Sequence, residues 1–162
     1  MRRTLATSFL LALLATPLAA QDPNPLDPGL RTQLNAARSI IDKERRILQA
    51  SELNLTREER DKFWPLFNEY AEDLREVTDI RIDVIVRYSE NYSQMTNDIA
   101  KSLVDGRFRH DRELLKLRER YLKKMRRILP ETKVARFFQV ESKLAAALNY
   151  NLASQIPVIQ DP

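Results

Sequence analysis

Few residues in this chain have the chemistry for catalysis or metal binding. The 162-residue sequence contains one histidine, His110, and no cysteine, whereas zinc and copper sites normally need several imidazole or thiolate ligands. Arg107, Arg109 and Arg112 flank this histidine and would repel a metal cation. The sequence also has no G-x-S-x-G, P-loop or H-E-x-x-H pattern. We therefore expect no enzyme activity and no metal or cofactor site, and we interpret His110 as a surface residue.

Charged side chains offer binding chemistry instead, because they recur at helical steps of three and four residues. The basic stripe consists of Arg109, Arg112, Lys116, Arg120, Lys123 and Arg127. The acidic stripe consists of Glu69, Glu72, Glu76, Asp79 and Asp83. Each stripe lies nearly opposite the apolar face of its own helix. Either both are solvated faces with weak intrahelical ion pairs, or they contact something outside the subunit.

Two apolar residues favour an external contact. Ile82 and Val86 project off the main apolar stripe of their helix, as expected if that helix buries two sides. The basic stripe is therefore our candidate partner-binding surface, for a second copy or a charged polypeptide. We do not expect nucleic acid binding, because the stripe lacks interleaved stacking aromatics.

The elements that position these residues are predicted to be helices. After residue 29 the sequence has one glycine, Gly106, and three prolines before Pro162, and its composition favours long helices. Apolar spacing predicts helices over 30–50, from Thr56 to between 95 and 104, over 109–128, and from Pro130 to just before Pro157. The predicted apolar face of the first consists of Leu30, Leu34, Ala37, Ile41 and Leu48. The fold class is therefore all-α, with four elongated, largely antiparallel helices.

Three local patterns qualify this prediction. Residues 80–86 alternate partly like a strand, but no partner strand is evident, so we interpret them as helix. Asp105 and Gly106 form a turn signal, which is why the second helix is expected to end, or to break and restart, before them. Pro65 is expected to kink the second helix.

Two similar segments mark helix openings. Leu55-Thr56-Arg57-Glu58-Glu59 leads to Phe63, and Leu129-Pro130-Glu131-Thr132-Lys133 leads to Phe137. This weak repeat predicts two helix openings packed on one core, with both phenylalanines seated in it.

Different residues start the two helices. Thr56 and Glu59 form a T-x-x-E capping box, whereas Pro130 suits the first turn of the fourth helix because its missing amide is not needed there.

The N-terminus has the features of a secretory signal peptide, with Arg2 and Arg3 before an apolar run and small residues up to Ala20. An uncleaved anchor and a buried core helix are the alternatives. We divide the chain into a signal peptide (1–20), a proline-rich linker (21–29), a single helical domain (30–157) and a C-terminal tail (158–162). Cleavage removes Arg2 and Arg3, which lowers the net charge from +4 to +2. No transmembrane segment is predicted in the mature chain.

The two similar segments that begin at Leu55 and Leu129 resemble motifs of the Spy/CpxP family. Members of this family are small exported helical proteins that carry two L-T-x-x-Q motifs. Leu55, Thr56 and Glu59 match the first motif, with glutamate replacing glutamine. The second keeps Leu129 and the downstream Phe137 but lacks the threonine and glutamine. Residues 103–108 resemble the turn and phenylalanine that introduce the third helix in that family.

The resemblance implies a curved four-helix dimer, in the periplasm. It implies either an ATP-independent chaperone that binds unfolded envelope proteins, or a stress-response protein. The alternative function is a regulatory partner of a membrane sensor kinase or anti-sigma factor, without chaperone activity. A purely structural envelope protein is a third possibility. The family's metal-sensing branch has histidine and acidic ligands that find no matching cluster in this sequence.

Overall fold

The computed structural model describes residues 29–159, which form four α-helices and one short 3-10 helix. The α-helices are α1 (Leu30–Leu53), α2 (Arg57–Asn91), α3 (Asn97–Met125) and α4 (Glu131–Gln155), and the 3-10 helix (Tyr92–Gln94) joins α2 to α3. The predicted all-α fold class is confirmed, and residues 80–86 are helical. The predicted signal peptide and residues 21–28 of the predicted linker lie outside the described residues. None of the four α-helices contains an apolar stretch long enough to cross a membrane.

The boundary between α2 and α3 differs from the prediction. α2 ends at Asn91, and α3 begins at Asn97. The Thr96 hydroxyl caps α3 by accepting a hydrogen bond from the Ile99 amide. Gly106 therefore lies inside α3, and the expected turn at this glycine is wrong. A Cβ atom on Gly106 would lie 2.7 Å from Cγ2 of Val84 on α2. The glycine thus allows the Val84 side chain of α2 to pack against the backbone of α3, which is a different use of the same missing side chain.

The two most extensively packed helix pairs run antiparallel. α2 and α3 form the most extensive pair, with Lys124 near Glu69 at one end and Gly106 near Val84 farther along. α1 packs along α4, where the Arg136 guanidinium donates to the Glu52 carbonyl at 3.0 Å.

The main core lies where α2 begins and α3 ends. Its largest fully buried side chains are Tyr70, Tyr121, Phe63 and Phe137. The Tyr70 ring meets Tyr121 and Phe137 edge-on, with centroids 5.2 and 5.3 Å apart. Such edge-to-face pairs stabilise a core beyond the area they bury. This aromatic cluster joins α2, α3 and α4 into one packed unit.

α2 is one continuous helix that contains Pro65. Two further details correct the predicted elements. α3 ends at Met125 rather than at residue 128. Pro130 is the N-cap of α4, one residue before its first turn, with an extended backbone at φ −61° and ψ 148°.

The predicted apolar face of α1 is also wrong. Its residues are half-buried or, at Ala37, exposed, whereas α1 buries Arg45, Gln49 and Leu53. The reason is that α1 meets a buried carboxylate on α4, so polar side chains occupy the contact.

Candidate functional site

The outer face of α3 carries exposed apolar side chains. Val104, Phe108 and Leu115 are 54%, 59% and 57% exposed. Their spacings of four and seven residues place them on one side of the helix. We call these three residues the apolar row. Val104 and Phe108 stand one turn apart, and the exposed Asp111 lies between Phe108 and Leu115. Contiguous exposed apolar groups mark binding surfaces, so the pair formed by Val104 and Phe108 is the stronger part of the row.

The basic stripe lies beside the apolar row, turned by about 100° around the α3 axis, and its last residue, Arg127, lies in the turn that follows α3. Arg120 pairs with Asp73 of α2 at 2.8 Å, and Lys116 pairs with Glu113 at 2.8 Å. The other four stripe residues form no ion pair with any residue between 29 and 159; they are Arg109, Arg112, Lys123 and Arg127. The stripe therefore keeps positive charge available to a partner.

Part of the basic stripe borders an open groove of about 510 Å³. Stripe residues lining it are Lys116, Arg120, Lys123 and Arg127, joined by Lys124 and one carboxylate, Glu119. The cationic rim would attract acidic groups, and this attraction would weaken as salt increases. The nitrogen of Lys116 also lowers the pKa of Glu113 through their hydrogen bond.

The acidic stripe does not remain free of partners within the subunit. Asp83 pairs with Arg31, and Asp79 with Arg38, both from α1. Glu69 pairs with Lys124 of α3 at 2.9 Å. Neither alternative included these ion pairs between helices of one subunit, which form because α1 and α3 flank α2.

Ile82 and Val86 are likewise used inside the subunit. They are 4% and 9% exposed. Their position off the main stripe of α2 reflects packing on two sides within one chain, so they do not support an external contact.

The two repeated motifs lie side by side. The Lys133 ammonium contacts the Glu59 carboxylate, and it also donates to the carbonyl of Asn54 at 3.1 Å. Phe63 and Phe137 pack with ring centroids 6.1 Å apart. They are separated by the same number of residues as Glu59 and Lys133.

Both motifs serve the architecture. Thr56 and Glu59 form the predicted capping box, and Lys133, followed by Thr56, lowers the pKa of Glu59. Leu129 is buried, and Leu55 packs half-buried against the core. The motifs thus start two helices and fill the core, as predicted.

Sequence reasoning missed a buried polar network between α1, α2 and α4. Glu141 is 4% exposed and accepts from Arg45 at 3.2 Å, Gln49 at 3.1 Å and Tyr70 at 2.9 Å. Burial, followed by the Glu141 charge, raises the pKa of the Tyr70 hydroxyl. A clue in the sequence was that Arg45 and Gln49 stand four residues apart, on one helix face.

The interpretation of His110 as a surface residue is wrong. Its side chain is buried on the inner face of α3, with the residue 5% exposed. Nδ1 lies 3.0 Å from the Asp111 carboxylate. Burial lowers the pKa of His110, and the Asp111 contact opposes this only in part. The imidazole is therefore neutral at neutral pH.

Comparison of the chain with protein families, curated proteins and solved structures finds no match. The outer face of α3, with its apolar row and basic stripe, is the candidate functional site.

Proposed function

We propose that this protein binds partly folded polypeptides on the outer face of α3 and keeps them from aggregating without ATP. The observation that supports the proposal is the exposed apolar row beside the basic stripe. A non-native polypeptide presents apolar and acidic groups together, and each finds a complementary surface on this one helix.

Weak binding is part of the proposal. The apolar row is narrow, and the cations are solvated, so each contact contributes little free energy. A client can therefore leave when it folds, because folding buries the apolar groups that α3 contacts. No nucleotide-driven step is needed for this release.

The proposal extends to cellular setting and family. It is consistent with an exported, periplasmic protein of the Spy/CpxP type acting in envelope folding or stress response, as a homodimer. The two packed motifs, with Phe63 and Phe137 in the core, support this family assignment. Light scattering coupled to size exclusion tests the dimer, which a monomer mass would refute.

The decisive experiment is an aggregation assay with a denatured acidic client. We expect the protein to suppress aggregation at a small molar excess. Replacing Arg109, Arg112 and Lys123 by Glu should at least halve the suppression. The matched control reverses three exposed cations elsewhere, Lys43, Arg60 and Lys143, and should retain it.

The apolar row is tested separately. Phe108→Ser should weaken suppression, whereas Tyr150→Ser, which removes a 77% exposed aromatic ring on α4, should not. No suppression by the unmodified protein at several-fold excess rejects the chaperone function. Stable co-purification with a membrane sensor domain in that case favours the regulatory alternative.

A further inference from the structure

A second feature of the structure is separate from the outer face of α3. It is a cavity of about 200 Å³ between α2, α3 and the segment that follows α4. Its apolar wall includes Val84 and Ile85 from α2, Leu103 from α3, and Ile156. The Tyr88 hydroxyl, also at the cavity, donates to the carbonyl of Pro157 and so holds the segment after α4 in place.

One side of the cavity carries a cation that makes no direct ion pair, although the Asp111 charge acts on it from farther away. Arg81 is half-buried, and its guanidinium donates to the neutral Asn149 side chain at 2.7 Å. Among residues 29–159 no carboxylate forms an ion pair with it. Burial, followed by the charge of Arg107, lowers the pKa of the Arg81 guanidinium, although the group stays protonated. A partly desolvated cation of this kind favours an anion beside it.

The surrounding charges leave a positive excess. Arg107 lines the cavity and pairs with Asp111 at 3.1 Å. His110 also lines it and is neutral at neutral pH. Two guanidinium groups therefore line a mostly apolar space, and the carboxylate of Asp111 pairs with one of them from outside the lining.

We propose that this cavity binds a small apolar carboxylate, with its hydrocarbon against Val84, Ile85 and Leu103 and its carboxylate on Arg81. Guanidinium groups match carboxylates in geometry and can donate two hydrogen bonds at once. The cavity is smaller than the sites that hold drug-sized ligands. A medium-chain fatty acid such as octanoate is therefore the appropriate class.

The first test uses the unmodified protein and three probes. His110 lines the cavity and is the only histidine, so its ring proton signal reports on this site without ambiguity. We expect octanoate to shift that signal in a saturable way. Acetate, which lacks the chain, and octanol, which lacks the charge, should each bind at least about tenfold more weakly.

Two Arg→Gln variants test where the carboxylate of the ligand binds. Arg81→Gln should weaken octanoate binding by about tenfold and leave octanol binding unchanged. Arg87→Gln, which removes an exposed cation from the same helix, is the matched control and should bind octanoate normally. Circular dichroism establishes that both variants keep their helices.

The outcomes that overturn the proposal are specific. An unshifted His110 signal at millimolar octanoate does so, as does octanol binding as tightly as octanoate. Equal octanoate affinity in Arg81→Gln and Arg87→Gln also refutes it. The triple reversal of Arg109, Arg112 and Lys123 should not change octanoate binding, so this proposal and the proposed chaperone function can fail independently.

Discussion

Replacing the buried Glu141 should destabilise the fold more than any single change on the charged surface. Its carboxylate accepts hydrogen bonds from Arg45, Gln49 and Tyr70. Glu141→Gln keeps the shape of the side chain, removes its charge and turns one acceptor oxygen into a donor amide. One of the three buried donors then loses its acceptor, and Arg45 loses a counter-ion.

The magnitude follows from the partners that remain. Removing one member of a buried ion pair costs about 3–5 kcal/mol of unfolding free energy. Arg45 keeps an ion pair with Asp42, which places the loss near the lower end. We therefore expect Glu141→Gln to lower the free energy of unfolding by about 3 kcal/mol.

Urea unfolding followed by circular dichroism measures this quantity, provided that the slope of the transition is unchanged. The matched control on α4 is Glu131→Gln, which breaks an exposed ion pair with Arg126 and should change stability by less than about 0.5 kcal/mol. In a Tyr70→Phe background, the loss from Glu141→Gln should shrink, because the two residues share one network. A loss below about 1 kcal/mol, or one equal to that of the control, would refute the account of α1 docking on a buried charge.

The remaining predictions concern the core, the cap, the glycine and the histidine. Phe137→Ala should cost about 3–5 kcal/mol in urea unfolding, and a loss under half of that would contradict its central place in the core. Thr56→Ala should cost about 1 kcal/mol, whereas Thr32→Ala, at an exposed helical position of α1, should not lower stability, because alanine has the higher helix propensity. Gly106→Ala should raise the unfolding rate despite the better helix propensity of alanine, because its Cβ would meet Val84. In a Val84→Ala background, Gly106→Ala should instead lower the unfolding rate. Stability should fall as pH drops below about 6.5, because the lowered pKa of His110 lets the unfolded chain bind a proton before the folded one. His110→Gln should remove that part of the pH dependence, and an unchanged slope in the variant would place it elsewhere.

Much of the fold could be predicted because its signals are local. Helix spacing, the capping box at Thr56 and Glu59, and the core positions of Phe63 and Phe137 depend on residues within a few turns of one another. Each of the two repeated motifs was visible in the sequence because its own residues stand close together, although the two motifs are far apart along the chain.

Other features depend on which helix lies beside which, and single-chain patterns do not contain that information. Gly106 lacks a side chain, which suits both a turn and a close helix contact, so the residue type does not distinguish the two. Arg45 and His110 carry polar groups that usually face water, and only the packing of α1 on α4 and of α2 on α3 buries them.

The sequence by itself determined that this protein is helical, where two of its helices open, and that α3 carries a row of cations. The tertiary structure decided which charged side chains have an ion-pair partner. α1 and α3 neutralise several members of the acidic stripe on α2, whereas Arg109, Arg112 and Lys123 on the outer face of α3 form no ion pair within residues 29–159. The physical reason is that ion pairing needs two side chains within a few ångströms, and that distance is set between helices rather than along them.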